Sequence, residues 1–166
     1  AMGAKVLGVP VDGEGMVVER LPHGVKVVYV TPSHQFPLGV TMSLARRKAL
    51  LTWAKRTGAV IIEDDYDSEF RFGGRPLESL QGLDRSGTVI YLGTFSKVLF
   101  PGLRLGYVVV PPWLQEPFVA AKWITDRHTS ALEQSIMTGF IADGHFGRHL
   151  RRMQRMYGER RHALLG

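Results

Sequence analysis

Three short stretches of this 166-residue chain carry side chains that could do chemistry. The first, "TFSKVLFPGLRLG" at residues 94–106, sets a primary amine, Lys97, between Ser96 and the apolar "VLF", with Thr94 ahead and Arg104 seven residues behind. The second, "EDDYDSEF" at residues 63–70, is a run of carboxylates, Asp64 and Asp65 among them, interrupted by the phenol of Tyr66. The third, "TPSHQFPLG" at residues 31–39, adds His34 and Gln35. A lysine at the exit of a buried strand is a candidate nucleophile, because desolvation lowers an amine's pKa and frees its lone pair. Hydroxyls and a guanidinium suit a phosphate dianion, the guanidinium through its bidentate fork. Alone, Lys97 would read as an ordinary surface lysine; its neighbours make it a candidate.

The elements that must position these groups alternate in type. "KVLGVPV" and "VKVVYVTP" read as short strands, the second almost continuously apolar and so expected to be covered on both faces. Ser43 is a natural N-cap for "LARRKALLTWAKRTG", where Ala45, Ala49, Leu50, Trp53 and Ala54 recur at helical spacing and Gly58 is a natural stop. "AVIIEDDY" reads as a strand with carboxylates at its C-terminal end. Turn-rich "GGRPLESLQGLDRSG" comes next, then the strands "TVIYLGTFSK" and "LRLGYVVVPP", and from Trp113 onward the chain reads as helical. Strands alternating with helices predict a three-layer α/β/α architecture on a mostly parallel sheet. Such sheets bind ligands beyond the carboxyl ends of their strands, where all three stretches fall.

Composition narrows the classes. A hydrophobic share of 45% and a charged share of 22% are globular values. No apolar run is long enough to span a bilayer, and the first residues lack the order of a signal peptide. With no cysteine there is no disulfide frame and no thiolate metal site, which fits a cytoplasmic protein. Much of the net charge of +6 lies in "RHLRRMQRMYGERRH". There Leu150, Met153, Met156 and Tyr157 recur at helical spacing, so the segment reads as a helix with one packed face and one solvated basic face, rather than as a nucleic-acid surface. "VIIEDD" resembles the magnesium-holding strand of P-loop proteins, but no GxxxxGK[ST] occurs. The acids of residues 63–69 lack the spacing of a calcium loop. His145 and His149 stand at i, i+4 with no evident third ligand, so no metal is expected.

An amine nucleophile, a carboxylate and a phenol together suggest pyridoxal 5′-phosphate, whose aldehyde forms a Schiff base with lysine and whose protonated ring nitrogen needs a carboxylate beside it. Thr94, Ser96 and Arg104 then read as a cup for its phosphate. The order "EDDYDSEF", "TFSK" with Lys97 33 residues after Asp64, and "PGLRLGY" resembles the fold type I, class I/II aminotransferases. The stretches "TPSHQFPLGVTMSLARRKALLTWA" and "GHFGRHLRRMQRMYGERRHALL" are most similar to the aminotransferase-like domain of MocR-type regulators of the GntR family. The resemblance implies that Asp64 pairs with the pyridine nitrogen, Tyr66 contacts the ring oxygen, Lys97 carries the Schiff base and Arg104 binds the phosphate. Where the enzymes usually have Asn-Pro-x-Gly, this chain has Phe36, Pro37, Leu38 and Gly39, which leaves Gln35 or His34 to stand in for the amide.

The resemblance runs essentially from Ala1 to Gly166. It implies an incomplete large domain over residues 1–147, with residues 148–166 starting the helix that leads to a small domain. The glycine-rich phosphate loop, the stacking aromatic ring and the substrate-carboxylate arginine of the family have no counterpart here. Neither has the winged helix through which a MocR regulator binds DNA. The implied function is effector sensing: an amine or amino acid exchanges with Lys97 in a protein that is a homodimer at full length. The alternative is a catalytically active aminotransferase, in which Lys97 also serves as general acid and base.

Overall fold

The computed structural model of the chain describes residues 3–70 and 77–166. They fall into two compact units, one of Ala1–Asp65 with Leu77–Tyr91, the other of Tyr66–Pro76 with Leu92–Gly166.

In the first unit, β1 (Val11–Asp12) and β2 (Gly15–Met16) form a small antiparallel hairpin. This pair is all that forms of the strand expected over "KVLGVPV": residues 3–8 are exposed, Val6 to 89%, and Pro10 has no N–H to give a ladder. Next come β3 (Val27–Val30), α1 (Leu44–Thr57), β4 (Val60–Asp65), α2 (Leu80–Leu83) and the first half of β5 (Val89–Thr94). Strands β3 and β4 are parallel, Val27 opposite Val60 and Val30 opposite Glu63. The Ile61 N–H donates to the Thr88 carbonyl, and at the far end the Tyr91 hydroxyl donates to Asp65, so β5 runs the same way beside β4. Of the turn-rich stretch, residues 73–76 lie outside the described residues, and its remainder contains α2, capped by Ser79, whose side chain accepts from the Gly82 N–H.

Helix α1 forms where expected. The Ser43 hydroxyl accepts from the Arg46 N–H at 3.2 Å, and Gly58 ends the helix at φ 66°, a left-handed conformation that costs glycine little. Leu50 and Ala54 pack with Val28, Val30, Ile61, Leu80 and Val89 in the core. One expectation fails. Val27 and Tyr29 of β3 are 53% and 60% exposed, because alternate residues of a strand face opposite ways and this core covers only the face of Val28 and Val30.

The second unit holds the rest of β5, β6 (Gly106–Val109), α3 (Gln115–Asp126), α4 (Ala131–Ala142) and α5 (His145–Leu165). The Phe95 N–H donates to the Leu105 carbonyl, while a methyl group on Gly93 would sit 2.3 Å from the Tyr107 ring. Partners that descend on β6 as they rise on β5 make this pair antiparallel, the exception in an otherwise parallel sheet. Gly93 is needed there because β6 lays an aromatic ring against the β5 backbone. Strand β6 is shorter than "LRLGYVVVPP", since Arg104 is left-handed and the chain turns at Pro112–Leu114. Helix α5 has the two faces expected: Leu150, Met153, Met156 and Tyr157 are half-buried, and Arg148, Arg151, Arg152 and Arg155 are exposed. It starts at His145, ahead of the expected boundary at 147/148.

Candidate functional site

Strand β4 ends in three acids that do different things. Its burial alternates, so Glu63 and Asp65 point into the core beside Ile61, and Asp64 points to the other face with Ile62. Asp65 is buried and accepts the Tyr91 hydroxyl at 2.8 Å. Asp64 is half-buried and accepts the Tyr29 hydroxyl from the open face of β3. Of the two aspartates, Asp64 is the one whose face is not packed into the core.

Glu63 is wholly buried and accepts the Leu80 and Gln81 N–H groups, each at 2.9 Å, satisfying the first turn of α2. Burial holds its carboxyl above the usual carboxylate range, against the pull of those two N–H groups and of Arg47. Arg47 is equally buried, with a guanidinium nitrogen 3.7 Å from Glu63. Its other donors go to backbone carbonyls: Met42 at 3.1 Å, Glu78 at 3.2 Å and Pro32 at 2.8 Å. Pro32 and Met42 are the two ends of the loop that carries His34 and Gln35, and they are also joined by the Met42 N–H to Pro32 carbonyl bond of 2.8 Å. Arg47 therefore clamps that loop at its neck.

Inside the loop, Gln35 is turned on itself. Its side-chain oxygen accepts from the Leu38 N–H at 3.0 Å, and its amide donates to the Phe36 carbonyl at 2.6 Å. The amide expected to stand in for the family's asparagine is thus engaged in shaping the loop. His34 is exposed, its ring against Gly39.

Tyr66, Thr94, Ser96, Lys97 and Arg104 belong to the second unit. The last three lie on one loop between β5 and β6, closed at its neck by the Phe95 N–H to Leu105 carbonyl bond of 3.1 Å. Ser96 and Arg104 flank that neck from either side. The Thr94 hydroxyl accepts from the Ser96 N–H at 3.1 Å, and the Leu99 N–H returns to the Phe95 carbonyl at 2.9 Å, winding residues 95–99 into a tight turn. The turn sends Val98 into the core, 2% exposed, and Lys97 outward. Among the described residues nothing covers Lys97, so the desolvation expected of the lysine is not found there, because neighbouring turn residues point opposite ways. Arg104 is exposed at φ 51°, a left-handed conformation that a side chain with a Cβ adopts at a cost. Among the described residues neither Lys97 nor Arg104 is ion-paired. Two cations without counter-ions among the described residues, with two hydroxyls on the same segment, can hold an anion and present an amine to a carbonyl. Tyr66 is half-buried and leads directly out of β4.

Sequence reasoning missed the parts played by Arg47, Glu63 and Tyr29, and read His149 only beside His145. A signal existed for the first two: Arg47 shares the apolar stripe of α1 with Leu50 and Ala54, and Glu63 interrupts an apolar strand, so opposite charges occupied two positions bound for the core. The pairing of His145 and His149 dissolves. His145 approaches Arg148 at 2.8 Å and stacks on Phe140, whereas His149 turns to the Val98 carbonyl.

A largely parallel sheet with helices, its polar groups at the strand exits, is the large domain of a fold type I transferase, here incomplete. Residues 16–165 match the family described as Aminotransferase class I and II, and the chain belongs to that family. It is 48% identical over 159 residues to the probable rhizopine catabolism regulatory protein MocR of Rhizobium meliloti, covering 95% of this chain and 32% of that protein. It is 47% identical over 155 residues to the HTH-type transcriptional regulator YhdI of Bacillus subtilis, covering 93% and 33%. Among solved structures, kynurenine aminotransferase of Pyrococcus horikoshii, in complex with PMP, matches with a TM-score of 0.87 and 38% identity, covering 95% of this chain and 41% of that one. The α-aminoadipate aminotransferase LysN of Thermus thermophilus, complexed with N-(5′-phosphopyridoxyl)-L-leucine, matches with a TM-score of 0.86 and 38% identity, covering 96% and 43%. The chain spans about a third of the length of the regulators it matches. Among the described residues no helix is long and apolar enough to cross a membrane.

Proposed function

We propose that this chain is the cofactor-binding part of an effector-sensing, aminotransferase-like domain in a cytoplasmic MocR-type transcriptional regulator, and that it holds pyridoxal 5′-phosphate. The observation that carries the reading is the loop between β5 and β6, where Lys97 and Arg104 have no counter-ion among the described residues and share a closed neck with Thr94 and Ser96. This donor set suits an aldehyde that also bears a phosphate. Arg104, Thr94 and Ser96 would hold the phosphate, and the Lys97 Nζ would hold the aldehyde carbon. Asp64 would keep a proton on the ring nitrogen, and Tyr66 would donate its O–H to the ring oxygen. Since the Gln35 amide is engaged in its own loop, His34 is the better candidate of the two for the ring-oxygen side. When bound, the cofactor supplies an aldehyde that condenses with amines and a ring that withdraws electrons.

A regulator is favoured over an enzyme by the higher identity to the regulators, 48% and 47%, than to the aminotransferases, 38%. An amine or amino-acid effector would compete with Lys97 for the aldehyde. The full-length protein would be a homodimer that meets DNA through a winged-helix domain outside this chain. The second reading, a working aminotransferase, rests on the enzymes' 38% identity and TM-scores of 0.86–0.87. In it the Lys97 Nζ would also take a proton from the substrate Cα.

Borohydride reduction of the full-length protein followed by peptide mass spectrometry tests the assignment. The pyridoxyl group is expected on Lys97 and is lost in Lys97→Ala; a label on Lys55 or Lys122 overturns it. Adding an amino acid together with a different 2-oxo acid as amino acceptor separates the two readings: altered DNA affinity without turnover marks a regulator, and steady conversion of the amino acid to its oxo acid marks an enzyme.

A further inference from the structure

The histidine pair singled out in the sequence finds no use in the cofactor reading, yet one of its members touches the lysine turn. The Nε2 of His149 lies 2.8 Å from the backbone carbonyl of Val98, the residue directly after Lys97. A carbonyl can only accept, so Nε2 carries the hydrogen. Val98 is buried, so this carbonyl is one that folding obliges to find a donor. One turn of α5 earlier, the Phe146 ring meets the Phe95 ring edge to face, with centroids 5.8 Å apart, and Phe95 also packs on Tyr107. Helix α5 therefore grips both ends of the turn, Phe95 by an aromatic contact and Val98 by a hydrogen bond. Ser96 and Lys97 are the two residues between the grips.

The consequence is mechanical. The Lys97 side chain is exposed and long, so what directs its amine is the conformation of the backbone beneath it. The Phe95 grip and the Leu99 N–H to Phe95 carbonyl bond fix the start of the turn. The His149 bond and the Leu99 N–H bond hold the two ends of one peptide plane, the one that joins Val98 to Leu99, and so fix the backbone that follows Lys97. Farther along the same helix, the Gln154 amide donates to the Glu69 carbonyl at 2.8 Å and Tyr157 meets Phe70 edge to face, so α5 also anchors the segment that continues from Tyr66.

We propose that His149 is a positioning residue for Lys97, its Nε2–H holding the Val98 carbonyl and so setting the direction of the lysine amine toward the cofactor. The proposal rests on the reading that Lys97 holds pyridoxal phosphate, and it assigns His149 no contact with the cofactor.

The test uses the full-length protein, with pyridoxal phosphate as the titrant and two readouts, affinity by absorbance titration and the absorption maximum of the bound form. His149→Phe keeps a ring on the packed face but removes the donor, and is expected to weaken affinity about three- to tenfold, the effect of one neutral hydrogen bond. His149→Gln restores an N–H at similar reach and is expected to recover most of that loss and the wild-type absorption maximum. Melting temperatures of the cofactor-free proteins are compared alongside, since a role confined to packing would move those and give no rescue by His149→Gln. Wild-type affinity in His149→Phe overturns the proposal, and so does an equal loss in both variants. Should the phenylalanine variant fail to fold, His149→Leu takes its place against His149→Gln in the same titration. Lys97→Ala keeps the two ideas apart: if it binds and labels like wild type, the cofactor reading fails. If it loses the label while His149→Phe binds normally, the His149 proposal alone fails.

Discussion

Replacing Arg47 by methionine is the sharpest perturbation of the first unit. Methionine matches the length of the arginine stem and fills much of the space it occupies, so the change mainly deletes a charge and its donors. Arg47 is fully buried and gives hydrogen bonds to the Met42, Glu78 and Pro32 carbonyls, with Glu63 at 3.7 Å. Pro32 keeps its second donor, the Met42 N–H, so not every carbonyl is stranded. Glu63 keeps the Leu80 and Gln81 N–H groups but loses its counter-charge. Breaking a buried ion pair on one side costs about 3–5 kcal/mol, most of it the orphaned charge. Against a total stability of about 5–15 kcal/mol, that loss is severe. Urea unfolding followed by the fluorescence of Trp53, packed on the core of this unit, measures it. The origin of the cost shows in its pH dependence. Burial already raises the Glu63 pKa above 4.5, and losing Arg47 raises it further. A raised carboxyl pKa means the folded state binds the proton more tightly, so stability falls as pH rises through the window above 4.5 and the penalty is absent below it. The Arg47→Met deficit should therefore shrink as pH is lowered from 7 toward 4.5, and adding Glu63→Gln should recover part of it at neutral pH. A deficit that stays constant with pH, and adds to that of Glu63→Gln without coupling, would refute the charge as its source.

Two further predictions concern the cofactor groups. Asp65→Asn should lower stability by about 1–3 kcal/mol, because it removes a buried charged acceptor from Tyr91, while Asp64→Asn should leave urea unfolding nearly unchanged and weaken pyridoxal phosphate binding; the reverse pattern shifts the assignment by one residue. Arg104→Gly and Arg104→Ala should both weaken pyridoxal phosphate about ten- to hundredfold, as the loss of charge-assisted hydrogen bonds implies, with less effect on pyridoxal, which has no phosphate. In thermal unfolding the glycine variant should nonetheless be more stable than the alanine variant by about 1 kcal/mol, since only glycine takes φ 51° without strain; equal stabilities would mean the left-handed backbone carries no strain.

Much of the fold could be read before any coordinates. Ser43 and Gly58 bracket α1 where capping chemistry puts them, and the lysine, aspartate and arginine motifs mark the strand exits on which the candidate site stands. What could not be read has physical causes. "KVLGVPV" has the composition of a strand, but a strand needs a partner, and partnership is not a local property. The covering of one face of β3 depends likewise on where α1 lands, although Val27 and Val28 are chemically identical. Helix α2 is too short for periodicity to announce it, and it exists because Glu63, far away in sequence, satisfies its first N–H groups.

The three acids of β4 show where legibility stops. In "VIIEDD" the apolar run is unbroken and so is the acidic run, so no alternation tells which residue faces the core. The distinction appears only once Ile61 is fixed in the core beside Leu50, because the strand period of two then commits Glu63 and Asp65 to the same side. Each of those buried carboxylates meets a ready partner there: Glu63 the start of α2 and Arg47, Asp65 the Tyr91 hydroxyl. Asp64, by the same parity, is kept out of the core. A slip of one residue in the pairing of β3 and β4 would bury Asp64 and expose both of its neighbours, leaving Arg47 buried without a counter-charge. The hub around Glu63 thus does two jobs through one register. It holds α1, α2 and the neck of the His34 loop together, and it keeps one carboxylate of the three on the open face, beside the Tyr29 hydroxyl.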